Sequence, residues 1–490
     1  MTGGDDAGST HGRTRHQDLA PALAERVYEA VAGEEDERAC EAIPDDACID
    51  VPGNFSLNAL NGAATKLAEQ LASPGLVLPW MLGAVGAPSA LVGLLVPVRR
   101  AGALLPQLAV AGRIRAWERR KGFWVGAGVA QALALLLMIP AILFLSPLGA
   151  GVAVVALLAL FSAASGVGSV AFKDVMAKTI PRGRRGRLLG VRAAAGGVLA
   201  LGAAVWLRQS VSEDDTLSPY VALLGGAAGL WLLGAAFFGA IREPKGATEG
   251  GRSALEEARA GVHLLGAEPA FRRFVLARSF LLAAQLATPF YALLAQEGAG
   301  VSAGNLAIMV GAASLASVLS SPFWGRFSDA SSRKVMVAGG MWSVITVILA
   351  LSTFLLPEDA WAGNGWGLAL FALVFFSSGF AEAGVRLGRK TYLVDGAPER
   401  KRPLMVAVAN TAVGVMYALA AGLGFLADAL GVAVVLGVLG LMALMGTLLA
   451  NRLPEAETLA AGMRRSPEDQ STGEGESSRN DPSGPSRPSG

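Results

Sequence analysis

The segment Gly325–Lys334, GRFSDASSRK, is short and charged, begins with glycine and lies between two long apolar runs. An earlier segment, Gly112–Lys121, GRIRAWERRK, has the same framework: Gly-Arg at its start and a basic pair eight and nine residues after the glycine. One segment lies in the first part of the chain and its counterpart in the second. We interpret both as charged loops that connect membrane-length segments.

A second set of residues recurs at nearly the same offset along the chain. Its members keep identical internal spacing in both copies: Lys173, Pro181, Arg184 and Arg185 match Lys390, Pro398, Lys401 and Arg402. One such match could arise by chance, whereas two matches in the same order indicate two related halves. Charged loops that recur between apolar runs are typical of transporters built from repeats.

The composition predicts a polytopic membrane protein. Hydrophobic residues make up 53% of the chain, mean hydropathy is +0.48, and only 16% of residues are charged, against about 25% in soluble domains. The apolar residues occur in runs of about 20, which is the length of a membrane-spanning helix. Net charge is +2, so the total charge identifies no partner, and we expect no nucleic acid.

We predict an all-α membrane protein of twelve transmembrane helices in two pseudo-symmetric six-helix halves. The predicted regions are a polar cytoplasmic tail (1–53), the first half (54–241), a cytoplasmic linker (242–270), the second half (271–453) and a disordered tail (454–490). The predicted spans lie at about 55–81, 88–112, 122–145, 149–171, 188–207 and 219–241, then 271–295, 302–327, 335–356, 366–393, 403–427 and 430–453. Pro74-Gly75 and Pro79 should kink or interrupt the first span.

An alternative topology begins differently. Residues 55–72 could lie flat at the membrane surface, with 76–97 as the first span and Arg99-Arg100 as its cytoplasmic flank. That arrangement leaves 101–112 too short to cross the membrane, breaks the register of the halves and places the N-terminal tail outside.

Orientation follows from the loops. Lys and Arg total 24 in the loops on one side, at 112–121, 178–187, 242–273, 326–334 and 389–402, whereas the alternate loops contain one, Arg208. Because positive charge is retained in the cytoplasm, we expect both termini to be cytoplasmic and the protein to lie in the plasma (inner) membrane.

Twelve spans with GRFSDASSRK between spans 8 and 9 resemble the major facilitator superfamily. The family signature at this loop is G-x-x-x-D-x-x-G-R-[KR], which Gly325, Asp329, Arg333 and Lys334 match, while Ser332 replaces a glycine. The resemblance implies the fold of that family and secondary transport. It also implies that the acid and bases of the loop latch neighbouring helix ends in the outward-open state.

The first-half copy of this gating loop departs further from the signature. Gly112, Arg120 and Lys121 fit, but Ala116 replaces the acid and Arg119 replaces the glycine. The second-half latch is therefore the better candidate. Span 4 lacks the Arg-x-x-Gln-Gly motif and span 5 the Gly-Pro element of antiporters in this family.

Polar residues on the first two spans point to a site inside the bundle. Five of them recur at helical spacing along span 1: Asn54, Asn58, Asn61, Thr65 and Glu69. Such a stripe faces a bundle interior or a water-filled cavity, and Lys66 lies near it. Span 2 contains Arg99 and Arg100, with Gln107 on the face of Arg100.

An arginine at the centre of a membrane helix costs roughly 2.5–3.5 kcal/mol on the insertion scale, so this pair needs partners or water. Our hypothesis is that Arg100 binds an anionic substrate group while Arg99 pairs with Glu69. The alternative is a structural pair that Glu69 and helix carbonyls satisfy. Arg192 and Arg278 lie near helix ends, where their side chains can reach the surface.

In the second half, Glu382 and Arg386 are four residues apart, which suits a helical ion pair. That pair is a structural element or, together with Glu69, a candidate for coupling transport to a proton or cation. Gln285, Asn410 and Tyr417 are further cavity candidates, although hydrogen bonding between helices would also explain them.

We therefore predict a secondary active transporter that moves a small organic anion or zwitterion by alternating access coupled to an ion gradient. The alternatives are an exporter of toxic or multiple drugs and a sensor with this fold that does not transport. The chain has no G-x-x-x-x-G-K-[ST] loop, and His263 is the one histidine outside the N-terminal tail. We expect no enzymatic activity, cofactor or metal, and a monomer in the lipid bilayer whose partners are the substrate and a coupling ion.

Overall fold

The computed structural model describes residues 50–210, 217–246, 263–299, 302–355, 365–398, 402–456 and 458. Most of the predicted tails and most of the predicted linker lie outside these residues; residues 51–53, predicted as tail, begin helix α1a. The helices of the first half are α1a (Val51–Leu71), α1b (Val77–Val85), α2 (Ser89–Arg115), α3 (Lys121–Phe144), α4 (Pro147–Thr179), α5 (Arg182–Ser210) and α6 (Ser218–Gly239).

The second half repeats this series. Its helices are α7a (Pro269–Phe280), α7b (Ala283–Leu286), α7c (Thr288–Ala299), α8 (Ala303–Ala330), α9 (Ser332–Leu351), α10 (Gly365–Gly396), α11a (Arg402–Leu419), α11b (Leu423–Leu430) and α12 (Val432–Asn451). Short 3-10 turns follow α9 at Ser352–Leu355 and join α11a to α11b at Ala420–Gly422.

Eleven segments of the described chain, corresponding to α2 through α12, are helices long and apolar enough to cross a membrane. The first crossing does not meet that criterion, because its helix is interrupted between Leu71 and Val77 at the Pro74-Gly75 pair and α1a carries the polar stripe. Together α1a and α1b supply the twelfth crossing. The predicted fold class of twelve helices in two six-helix halves is confirmed.

The alternative topology is wrong. Helix α1a packs against α5 and α6 instead of lying apart from the bundle, and α2 continues without interruption through Arg99 and Arg100 to Arg115. The arginine pair is thus in the middle of a membrane-length helix.

Helix packing has the two-fold pattern that the sequence repeats predict. In the first half α4 packs on α3 and α2, and α6 packs on α3 and α1; in the second half α10 packs on α9 and α8, and α12 packs on α9 and α7. The halves meet along two equivalent seams, where α2 contacts α11 and α8 contacts α5.

The charged segment Gly325–Lys334 is not a loop, which corrects our interpretation. Residues up to Ala330 continue α8, and Ser331 alone adopts an extended conformation before α9 begins. The Oγ atom of Ser331 accepts a hydrogen bond from the backbone N–H of Lys334, so serine caps α9 and allows the connection to be this short. Similarly, Gly112 lies within α2.

We call the side on which α1a begins and α12 ends the terminal face, and the opposite side the far face. The basic segments at the ends of α2, α4, α8 and α10 all lie on the terminal face.

Candidate functional site

The arginine pair of α2 connects the two halves of the bundle. Arg99 Nη2 lies 3.7 Å from Glu69 Oε1 on α1a, and Lys66 Nζ lies 2.7 Å from Glu69 Oε2. The Arg99 guanidinium also lies over the ring of Phe161, 5.2 Å from its centroid. Arg99 therefore has the partner expected from the sequence, together with a cation–π contact that spacing along the chain could not indicate.

Arg100 faces the other half. Its Nη2 lies 3.6 Å from Glu382 Oε1 on α10, and Arg386 Nη1 lies 3.4 Å from the same oxygen. Gln285 Nε2 donates a 2.9 Å hydrogen bond to Glu382, and the Tyr417 hydroxyl donates to Gln285 Oε1. Glu382 is thus the junction of a network that joins α2 to α7b, α10 and α11a.

Arg192 and Arg278 do not extend to the membrane surface, contrary to our interpretation. Arg192 Nη1 donates to the side-chain oxygens of Asn58 (2.7 Å) and Asn61 (2.9 Å), and Arg278 Nη2 donates to Asn410 Oδ1 (2.8 Å). Both arginines are more than nine-tenths buried. Arg192 is held by two side-chain amides and Arg278 by one, in each case within its own half.

These two contacts are equivalent but reversed. The offset that relates Lys173 to Lys390 also relates Asn61 on α1a to Arg278 on α7a, and an offset one residue longer relates Arg192 to Asn410. The first half places arginine on α5 and the amide on α1a, whereas the second half places arginine on α7a and the amide on α11a. Binding roles for Asn58 and Asn410 stay predictions, and both amides already hold arginines.

Other residues of the predicted site lie apart from this network. Asn61 Nδ2 donates to the Gly234 carbonyl of α6, and Asn54 exchanges hydrogen bonds with the backbone of Arg242. The Asn58–Asn61 part of the stripe on α1a therefore faces α5 and α6, whereas Glu69 at its end faces α2. Gln107 donates to the Ala103 carbonyl of its own helix. We do not include Asn58 or Gln107 in the site that we propose.

Sequence reasoning missed two cations on the terminal side of the network, Arg389 and Lys390. Lys390 is exposed, and it interacts electrostatically with Lys66 and Lys173 of the other half. Arg389 lies beside Arg100, Arg386 and Glu382. We had counted Arg389 and Lys390 as loop charges; their spacing of three and four from Arg386 was the signal that they line the interior.

We call Gly112–Lys121 and Gly325–Lys334 the first and second gating segments. The first gating segment is held by acidic residues of its own half. The side chain of Arg120 pairs with Asp174, and the backbone N–H groups of Arg120 and Lys121 donate to Glu243 at 2.8–2.9 Å. Lys178 Nζ lies 3.1 Å from a carboxylate oxygen of Asp174 and 3.1 Å from one of Glu243. The Glu243 side chain is fully buried.

The second gating segment repeats this arrangement. Arg333 Nε and Ser331 Oγ each donate a 2.8 Å hydrogen bond to Glu455, and Arg333 also donates to the Asn451 carbonyl. Glu243 and Glu455 each follow the last span of their half, at nearly the offset that relates the two gating segments. The side chain of Asp329 lies outside the described residues, so the predicted Asp329 latch stays a prediction.

Direct contacts close the bundle at its far face. Gln296 Nε2 of α7c donates a 2.8 Å hydrogen bond to the Trp80 carbonyl of α1b. Asp428 of α11b accepts hydrogen bonds from the Ala90 N–H (3.1 Å) and from the Ser89 hydroxyl, at the N-terminus of α2. A carboxylate is favourable there because the helix dipole is positive at that end.

Toward the terminal face, by contrast, charged side chains of both halves are exposed. Lys66 is 48%, Arg100 43% and Arg386 45% accessible. Since Arg100 and Glu382 belong to different halves and pair across the gap between them, these side chains line a cleft. This cleft reaches the middle of the bundle from the terminal face.

Comparisons with known proteins agree with this architecture. Residues 273–473 match the family model of the Major Facilitator Superfamily. An uncharacterized protein of Mycobacterium tuberculosis is 26% identical over 295 residues, 60% of this chain and 52% of that protein. The match thus spans about half the length of that curated relative. A multi-drug resistance efflux pump PmrA homolog of Lactococcus lactis is 31% identical over 170 residues, 34% of this chain and 38% of that protein.

Solved structures cover more of the chain. A D-xylose-proton symporter superposes with a TM-score of 0.61 at 14% identity, covering 83% of this chain and 99% of that one. The xylose transporter XylE from E. coli, in an inward open conformation, superposes with a TM-score of 0.58 at 15% identity, covering 84% of this chain and 99% of that one. The nucleoside transporter NupG superposes with a TM-score of 0.62 at 12% identity, covering 82% of this chain and 99% of that one.

The resemblance to the major facilitator superfamily is confirmed. The second half matches the family model, and the membrane domain has the fold of that superfamily. The chain is a multi-pass membrane protein.

Proposed function

We propose that the protein is a secondary active transporter that moves a small organic anion, or a zwitterion held by its anionic group, by alternating access. The observation that carries this proposal is the charge of the cleft. Its carboxylates are Glu69 and Glu382, whereas its cations are Lys66, Arg99, Arg100, Lys173, Arg386, Arg389 and Lys390. In a low-dielectric surrounding, such an excess of positive charge favours an anionic ligand.

Arg100 is the first ligand that we assign to the substrate. Its bond to Glu382 spans 3.6 Å, longer than a charge-assisted hydrogen bond of about 2.7–2.9 Å, so the guanidinium is only loosely engaged. Glu382 keeps Arg386 and Gln285 when Arg100 is removed. A substrate carboxylate or phosphate can therefore take over Arg100 without leaving Glu382 unpaired.

Glu382 also offers a way to couple substrate transport to an ion gradient. A proton or cation at Glu382 would weaken its hold on Arg100 and Arg386 and so strengthen anion binding. Glu69, which holds Lys66 and Arg99, is the second coupling candidate. Both carboxylates lie between cations, where loss of their charge changes the field that the substrate experiences.

Rocking of the halves would expose the site alternately. The two seams, α2 with α11 and α5 with α8, let the halves tilt as rigid bodies. The far face is joined by hydrogen bonds and the terminal face has the cleft. From the excess of Lys and Arg on the terminal face we propose that this face is cytoplasmic, and that the protein works as a monomer in the cytoplasmic membrane without enzymatic activity.

A second candidate is export of amphipathic toxic compounds. The 31% identity to an efflux pump homolog over 170 residues favours it. Such a function needs a large apolar cavity, whereas the cleft here has charged side chains at mid-depth. Lipophilic cations would meet repulsion from Arg99 and Arg100.

Transport into proteoliposomes tests the proposal. We expect purified protein to take up labelled succinate or glycerol 3-phosphate, or another member of a panel of small anions, and Arg100→Ala to lose at least about 90% of the rate, since removing a hydrogen bond to a charged group costs roughly 1.5–3 kcal/mol. Arg113→Ala, which removes an exposed arginine farther along the same helix, is the matched control. Uptake of no anion, with Arg100-independent transport of lipophilic cations, would replace this proposal by the second candidate.

A further inference from the structure

We propose that cations of both halves lock the empty carrier open at its terminal face, and that an anion with two or more negative charges releases this lock. The lock consists of three cations without a carboxylate partner among the described residues: Lys173 on α4, and Lys390 and Arg389 on α10. Lys66 and Arg386 lie near them but are paired with Glu69 and Glu382. This inference rests on the proposed transport function and specifies its substrate class.

The two lysines of the lock are related by the internal symmetry. Lys173 and Lys390 occupy equivalent positions of α4 and α10, in opposite halves. Both side chains are exposed, and neither makes a hydrogen bond or ion pair in the described part of the chain. Lys390 is nonetheless close enough to Lys173 and Lys66 to interact with their charges.

Arg389 adds a group that needs a ligand. Its Nε atom is buried, and among the described residues the side chain has no hydrogen bond or ion-pair partner. Glu382, the carboxylate near it, is already shared by Arg100, Arg386 and Gln285. A buried polar atom without a hydrogen-bond partner is rare in proteins, so the Nε–H group of Arg389 points to a bound anion as the missing component.

The cluster of cations opposes the closing of the terminal face, which is one step of alternating access. Closing the terminal face brings α4 toward α10, which shortens the distances between like charges and removes the water that screens them. An empty carrier therefore resists closure. An anion seated between Lys173, Lys390 and Arg389 converts the repulsion into attraction, and at least two negative charges are needed to offset three cations.

Phosphate monoesters and dicarboxylates meet this requirement. Guanidinium and ammonium groups together suit both, because arginine binds an oxyanion with two parallel hydrogen bonds and lysine adds a point charge. A carrier that closes only when loaded exchanges one anion for another. We therefore infer exchange of multivalent anions across the membrane.

The lock can be tested by measuring the distance between the two halves at the terminal face. Spin labels on Arg113→Cys and Arg326→Cys, both exposed on the terminal face, report it in full-length protein whose Cys40 and Cys48 are replaced by serine. The protein is held in phosphatidylcholine nanodiscs, which exclude anionic lipid headgroups. Lys173→Gln/Lys390→Gln is compared with the parent and with Lys245→Gln/Arg452→Gln, which removes two exposed charges outside the cleft.

We expect the parent without ligand to remain open and to shift to shorter distances with succinate or glycerol 3-phosphate, but not with lactate at equal ionic strength. Lys173→Gln/Lys390→Gln should close without ligand, with its closed-to-open ratio raised by about tenfold, the change that about 1.4 kcal/mol of relieved repulsion produces. The control variant should match the parent.

Identical distance distributions for both double variants, with and without the dianions, would overturn the lock. If Arg100-dependent binding of succinate or glycerol 3-phosphate persists in that case, only this inference fails. If no anion binds to the parent at all, the proposed function fails with it. Closure by phosphatidylglycerol in the nanodisc, but by neither soluble dianion, would likewise overturn the assignment of a soluble substrate.

Discussion

Gly424→Ala is a sharp test of the closed far face, because the seam between α2 and α11b leaves no room for a methyl group. A Cβ atom at Gly424 would lie 3.0 Å from the carbonyl carbon and 3.1 Å from the Cα atom of Ala90, and closer still to the carbonyl oxygen. All three atoms belong to the backbone, so no side-chain rotation relieves the contact. The two helices must separate.

The expected magnitude follows from the cost of overpacking. Forcing a methyl group into a packed contact costs about 1–3 kcal/mol, which acts on the conformation closed at the far face and not on the one open there. This corresponds to a shift of about 5–150-fold in the ratio of the two conformations. The higher helix propensity of alanine, about 1 kcal/mol over glycine, acts equally on both conformations and leaves their ratio unchanged.

Spin labels on Phe144→Cys and Leu355→Cys, both exposed at the far-face ends of their spans, give the assay. We expect the Gly424→Ala distribution to gain longer distances at the far face. Gly422→Ala is the matched control, because a Cβ atom at Gly422 meets nothing within 4 Å. Indistinguishable distributions for the two variants would refute the reasoning that this seam must open during transport.

Three further predictions concern single carboxylates. Asp428→Asn should raise the population open at the far face by about 2–5-fold in the same assay, because a charge at a helix N-terminus contributes about 0.3–1 kcal/mol. Glu243→Gln should lower the free energy of unfolding by about 1.5–3 kcal/mol, measured by thermal unfolding in mild detergent, while exposed Glu118→Gln should not. Partial burial raises the pKa of the Glu455 carboxyl, but hydrogen bonds from Ser331 and Arg333 outweigh it and lower the pKa below its usual range. A depressed pKa contributes stability above the unfolded pKa that is lost as pH falls through the folded pKa, so the unfolding midpoints of parent and Glu455→Gln should differ at neutral pH and converge in acid.

The spans and the two-fold repeat could be predicted from the sequence because both are written along the chain. Hydrophobic length marks each helix, and the recurrence of Lys173 as Lys390 marks the register of the halves. Local ion pairs are equally accessible: Lys66 with Glu69 and Glu382 with Arg386 lie within one turn. Spacing places such pairs on one helical face.

Contacts between halves could not be predicted in the same way. Arg100 and Glu382 lie far apart along the chain, and their pairing depends on how α2 and α10 are tilted across the cleft. The same holds for Asp428 at the start of α2. Glu243 and Glu455 were missed because each follows the last span of its half, outside the motif that we compared.

The sequence was also misleading about the second charged segment. The charged residues of Gly325–Lys334 suggested a loop, yet α8 continues to Ala330 and a single capping serine separates it from α9. Charge at the end of a membrane helix indicates the interface, not the end of the helix, since Arg and Lys side chains can extend toward water from the last turn.

The measurement that tests the account most directly is thermal unfolding of the parent and Arg100→Ala with a panel of ligands. The panel contains organic anions, sugars, amino acids and lipophilic cations. A ligand at a hundred times its dissociation constant stabilises the folded protein by about 2.7 kcal/mol. We expect an anion to stabilise the parent and to lose this effect in the variant. Stabilisation by lipophilic cations, equal in parent and Arg100→Ala, would contradict an anion site on α2.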